Sequence, residues 1–163
     1  MIYAADVKKI AQTGFIAALY VVFTGVLAPV SFGAVQFRAA EVLNLCAFLN
    51  PVYGLGVVLG CFLSNLFFSE FGLIDVAVGT LCTGGAVFFI TKTKSLLLAS
   101  FMPVIFTLPV SAMIAYLSGG DFLPAFISAA LTVAAGEFAV CVVAGYPLFK
   151  LLARRKGDFY GNT

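Results

Sequence analysis

From residue 10 onward the chain runs in long apolar blocks, each ending where polar or helix-breaking residues gather. A membrane-spanning helix needs about 20 such residues, and fewer where it packs inside a bundle. Six blocks qualify: 10–30, 37–49, 52–68, 73–91, 96–117 and 122–152. The second is short and closes at Asn50-Pro51. The fifth holds Pro103 and Pro109, which predicts a kink. The sixth carries Pro124 in its first turn and continues past Pro147. The pattern predicts an all-α integral membrane protein, a compact six-helix bundle forming one membrane domain over residues 1–163. Connections are short, and no internal repeat or low-complexity segment stands out.

Composition agrees with this. The chain is 63% hydrophobic and 10% charged, against about 25% charged residues in a soluble domain. The net charge of +2 implies no nucleic-acid partner. The run 10–30 exceeds the apolar core of about 7–15 residues in a signal peptide, so it is read as a retained first helix. With the N-terminus in the cytoplasm, eight of the nine bases fall on the cytoplasmic side, Arg38 being the exception. Both termini are expected there. The cysteines Cys46, Cys61, Cys82 and Cys141 form no CxxC pair, and there is no histidine to complete a metal site. They read as small buried residues.

The segment FGAVQFRAAEVLNL, residues 32–45, stands out because it concentrates Gln36, Arg38, Glu41 and Asn44 in an otherwise oily chain. Each charge at membrane depth costs about 2.5–3.5 kcal/mol on insertion scales, so such residues face a bundle interior or a wet cavity. Arg38 and Glu41 stand three apart, a spacing that suits an ion pair with Arg38 orienting Glu41. That pairing would leave Asp75 and Glu137 without an intramembrane basic partner. Asp75 has the alternative of capping its own helix. Glu137, within AALTVAAGEFAVCVVAG near mid-membrane, has none. Asn65 lies near the outer end of the third helix, while Glu70 and Asp121 read as solvated. At α-helical spacing Phe37, Glu41, Asn44 and Phe48 share a face, with Arg38 beside it. The preceding loop, with Pro29, Phe32 and Gly33, suits a lid.

Small residues Ala11, Gly14, Ala18 and Gly25 stripe the first helix, and Gly56 and Gly60 stripe the third; both stripes permit close helix approach. Internal packing explains either, and the first also suits a docking partner. There is no GxxxxGK-Ser/Thr phosphate loop, so the chain does not itself hydrolyse ATP. Without histidine, metalloprotease and serine–histidine chemistry lack a base. No enzyme, catalytic residue or metal site is expected.

LAPVSFGAVQFRAAEVLNL from Leu27, GLIDVAVGTLCT from Gly72 and GEFAVCVVAGYPL from Gly136 resemble, in order, the conserved stretches of the QueT family. These are substrate-binding S-components of energy-coupling-factor transporters for queuosine precursors. The resemblance covers nearly the whole chain and is most specific at Gln36–Glu41. It departs at Ala40, Asn44 and Ala47, where the family pattern has Ser, Thr and Pro. It implies an outward-opening pocket in a multi-pass protein of the bacterial cell membrane. The S-component docks through small residues of its first helix (Ala11, Gly14, Ala18) onto a transmembrane coupling protein with two ATPase subunits. ATP is used by those subunits, and this chain needs no cofactor. The implied cargo is 7-aminomethyl-7-deazaguanine or a close relative.

The residues suit that cargo. One carboxylate can accept two adjacent ring N–H groups in a fork, and a second can meet the cationic aminomethyl group. Gln36, Arg38, Glu41, Asn44, Asn65, Asp75 and Glu137 are the expected substrate-binding residues, with Phe32 in the lid. The rival readings are a stand-alone secondary transporter or small channel, an S-component for another cationic or purine-like solute, and a structural membrane subunit.

Overall fold

The computed structural model describes residues 2–28, 37–69 and 71–160, with side chains described from 6 to 154 within that set. The described residues are mostly helical, with no strand among them. Helix α1 is Ile2–Val26. A 3-10 segment, Ala39–Leu45, runs into the single turn α2, Cys46–Leu49. Helices α3 and α4 are Pro51–Phe68 and Leu73–Lys92. Helices α5 and α6, Leu96–Ile105 and Thr107–Leu117, form one broken span. Helix α7, Phe122–Glu137, passes through a π segment, Phe138–Gly145, into α8, Tyr146–Tyr160.

Local chemistry explains most of these boundaries. Asn50 caps α3 by accepting the Val52 N–H at 3.0 Å, and Pro51 takes the first position, where no N–H is needed. Gly72 precedes α4 at φ 65, a left-handed conformation open to glycine at little cost. Ser95 caps α5 through the Leu98 N–H. The break at Phe106 follows from Pro109: in a continuous helix its ring would press on the carbonyl of Ile105. As the third residue of α6 its missing N–H costs nothing. In the last helix the π segment ends at Tyr146, whose N–H bonds the Cys141 carbonyl five residues back. Pro147, which would crowd the carbonyl of Val143 in a regular helix, follows directly.

Five helical stretches are long and apolar enough to cross a membrane among the described residues: Asp6–Val26, Pro51–Phe68, Leu73–Lys92, Leu96–Leu117 and Phe122–Arg154. Ala39–Leu49 is apolar but shorter. With seven 3-10 residues and four α residues it extends about 20 Å, less than a hydrocarbon core of about 30 Å. Five full-length spans and one short helix thus stand where six helices were expected.

Polarity runs opposite to that of a soluble protein. Leu55, Leu81, Leu131 and Phe15 are exposed, whereas Arg38, Glu41, Asn44, Asn65, Asp75 and Glu137 are buried. Charges inside and leucines outside suit a lipid solvent. The main core joins Ile16 and Tyr20 of α1, Leu45 of the 3-10 segment, Val57 and Cys61 of α3, Ile90 of α4 and Phe149 of α8. A smaller cluster joins Cys82 to Val110 and Met113.

Helices α1 and α3 pack along their lengths. A Cβ on Gly56 would lie 2.6 Å from the Thr13 carbonyl oxygen, and one on Gly60 2.6 Å from Tyr20 Cβ. The Gly56–Gly60 stripe is therefore internal packing. Gly25 also turns inward, against the Phe68 ring. Ala11, Gly14 and Ala18 remain exposed, and a Cβ on Gly14 would touch nothing.

Candidate functional site

The 3-10 geometry of Ala39–Leu45 decides which side chains of the polar segment meet. At three residues per turn, positions i and i+3 eclipse, so Glu41 and Asn44 stack on one side. The Asn44 amide donates to Glu41 Oε2. The α-helical face expected to join Phe37, Glu41, Asn44 and Phe48 does not form: Phe37 is exposed and Phe48 lines a separate groove beside α8.

Glu41 is 4% exposed and accepts from three protein donors. Besides Asn44 these are Tyr20, whose hydroxyl bonds Oε1 at 2.6 Å, and Thr83, at 3.4 Å. The Thr83 oxygen lies 3.2 Å from Cys61 Sγ, which in turn lies 3.5 Å from the Asn65 amide nitrogen. A hydrogen-bonded chain from Asn65 through Cys61 and Thr83 thus ends on the Glu41 carboxylate.

Arg38 does not pair with Glu41 as its spacing suggested. Its Nη2 lies 3.7 Å from Asp75 Oδ1, across the bundle in the first turn of α4. Glu41 already carries three protein donors, which leaves Asp75 the better partner for the guanidinium. Asp75 makes no helix cap; its other oxygen accepts from the Ser69 hydroxyl, and Ser69 Oγ accepts from the Phe71 N–H. The expectation that Asp75 lacks a basic partner is corrected by this ion pair. Asn65 braces the same turn by donating to the Asp75 carbonyl at 3.4 Å.

Glu137 is the last residue of α7, at the entrance to the π segment, and is 4% exposed. Its hydrogen bond comes from the Cys141 thiol at 3.5 Å, a weak donor. A carboxylate can accept about four hydrogen bonds. Glu41 has most of that capacity filled by protein; Glu137 keeps most of its own in hand.

Arg38, Glu41 and Glu137 line one internal cavity together with Gly79, Thr83, Pro103, Phe106, Thr107 and Val133. Its open interior is small, about 30 Å³. That inner space suits about two waters, so a flat bicyclic ligand requires the walls to part. Phe106, at the break between α5 and α6, lies close against Gly85 of α4 and is the bulkiest of those walls.

The residues named from sequence thus fall into separate layers. Arg38, Glu41 and Glu137 face the cavity; Asn44, Asn65 and Asp75 hold the first two in place from behind. Gln36 and Phe32, with the rest of the lid loop, lie outside the described residues. Sequence reasoning missed Tyr20, Thr83 and Ser69. A tyrosine on the buried side of an apolar helix needs a partner for its hydroxyl, a signal available in the first helix but without direction until the fold is known.

The QueT transporter family model matches residues 10–154. A stretch of 76 residues is 43% identical to the queuosine precursor transporter QueT of Lactococcus lactis subsp. cremoris (strain MG1363), covering 45% of this chain and 44% of that protein. The match therefore spans less than half the length of that relative. No solved structure matches. With its own family match running across nearly all of the helical bundle, the chain belongs to the QueT transporter family.

Proposed function

We propose that the protein is the substrate-binding S-component of an energy-coupling-factor importer and that its cargo is a cationic deazaguanine, 7-aminomethyl-7-deazaguanine or a close relative. The observation that carries this reading is the charge of the cavity. Asp75 matches Arg38, while Glu41 and Glu137 both line the space, leaving two carboxylates for a ligand rich in donors. Glu137, with one thiol donor, is the acceptor for the cationic aminomethyl group or the ring N–H pair. Glu41, held from three sides, is a pre-set second acceptor. Arg38 supplies donors for the ring carbonyl. The family pattern's threonine at position 44 is replaced by asparagine, and Asn44 still provides a donor to Glu41, so the replacement preserves the carboxylate's support.

Delivery inward would use a transmembrane coupling protein and two ATPase subunits, with ATP consumed there. The docking face is the exposed stripe Ala11, Gly14 and Ala18 on α1. Ala11 also lines an open groove with Lys8, Phe15, Cys46 and Tyr53, a shape that receives a partner helix. Both termini lie in the cytoplasm in this reading. The short helix Ala39–Leu49 then supplies the sixth crossing in a bacterial cell membrane.

Calorimetry on the detergent-solubilised chain tests the cargo. Submicromolar binding of 7-aminomethyl-7-deazaguanine, at least about tenfold tighter than guanine, is the expected outcome. No binding of either base would defeat the cargo assignment. Uptake by vesicles holding this chain alone, without ATPase subunits, would show a secondary transporter instead.

A further inference from the structure

The far end of the molecule carries a second built feature, independent of the cargo cavity. Between the start of α5 and the side of α8 lies an open groove of about 410 Å³. Phe48, Leu96 and Leu97 give it an apolar lining, and Lys150 and Arg154 give it a cationic one. The two bases are one helical turn apart on α8, so they face the same way. Lys150 is held at the groove by Tyr146, whose ring centroid lies 5.4 Å from Nζ. Among the described residues no carboxylate pairs with either base.

The level of the groove is informative. Ser95, also in its lining, lies between the spans Leu73–Lys92 and Leu96–Leu117, and on the facing helix the sequence turns basic at Arg154-Arg155-Lys156. The groove therefore sits where hydrocarbon gives way to headgroups. An occupant must be apolar along its body and anionic at this level. A phosphodiester offers oxygens to an ammonium and to the guanidinium fork, while acyl chains extend from it along the apolar lining. Basic pockets between spans at a membrane surface recognise lipid headgroups in this way.

We propose that this groove binds the headgroup of an anionic phospholipid, with Lys150 and Arg154 as its phosphate ligands. A net negative charge is required, because a choline headgroup would bring its own cation against the two bases.

The test measures thermal unfolding of the purified chain in nonionic detergent with dioctanoyl phosphatidylglycerol, dioctanoyl phosphatidylcholine or sodium phosphate at equal concentration. Phosphatidylglycerol should raise the midpoint by about 3 °C or more, with the other two giving less than a third of that. The double variant Lys150→Gln/Arg154→Gln should lose most of the rise. Lys8→Gln/Lys9→Gln, which removes equal charge elsewhere, should keep it, as should Lys150→Arg. Equal stabilisation by phosphatidylcholine, an equal response to phosphate, or equal loss in both double variants would each overturn the proposal.

Discussion

The hydroxyl of Tyr20 donates a 2.6 Å hydrogen bond to Oε1 of Glu41, tying the middle of α1 to a carboxylate that lines the cavity. Tyr20 is 2% exposed and its Cβ is packed against Gly60 of α3, so the phenol has little freedom to leave. Ala18, two residues earlier, is exposed on the other side of the same helix. One helix thus supports the site from within and offers small residues outward. Tyr20→Phe removes a charge-assisted bond that contributes about 1.5–3 kcal/mol net. About tenfold weaker cargo binding is expected, at 1.4 kcal/mol per decade, with a lowered unfolding temperature. Calorimetry and thermal unfolding in detergent check both.

Glu137 and Glu41 should respond differently to the same substitution. Glu137→Gln disturbs one weak thiol contact but presents donors toward the ligand's donors. At least about tenfold weaker binding is expected, with the stability of the empty protein unchanged or raised. Glu41→Gln confronts Tyr20, Thr83 and Asn44 with an amide, and should lower binding and stability together. Unchanged affinity in Glu137→Gln would remove that residue from the site.

The Arg38–Asp75 pair predicts strong non-additivity. Removing one partner of a buried ion pair leaves an unmatched charge and costs about 3–5 kcal/mol. Arg38→Met or Asp75→Leu alone should destabilise by about that amount. The double variant should recover most of the loss in thermal unfolding, while cargo affinity stays reduced because Arg38 is absent from the cavity. Additive losses would mean the two side chains act separately.

A bulky residue on the exposed face of α1 should separate binding from transport. A Cβ added at Gly14 would have open space around it, so Gly14→Leu should leave fold and affinity intact. Gly14→Leu and Ala18→Trp should each abolish uptake by the assembled transporter. Equal loss of binding and uptake would make the stripe internal packing.

Orientation has a direct readout. With both termini cytoplasmic, a cysteine placed at Gly119 should react with an impermeant maleimide added outside intact cells, and one at Gly157 should not. The reverse pattern would reverse the topology and overturn the outward-opening pocket that the family resemblance implies.

Much of the architecture was legible in one dimension because its cause is one-dimensional. Apolar runs of membrane length, Pro51 at a helix start and the prolines around Phe106 act through residues next to each other, and the chain breaks near where they stand. The identity of the polar residues was legible too, since lipid makes every buried charge conspicuous. Their partners were not. Arg38 and Glu41 stand three apart, yet Arg38 turns to Asp75, 37 residues on, because Tyr20, Asn44 and Thr83 already satisfy the nearer acid. The α-helical face drawn through Phe37 and Phe48 failed because a 3-10 segment rotates 120° per residue, not 100°. Burial requires that each polar group find a partner. Which one it finds depends on the helices brought beside it, and that is decided only when Gly56 and Gly60 let α1 close on α3 and carry Tyr20 to Glu41.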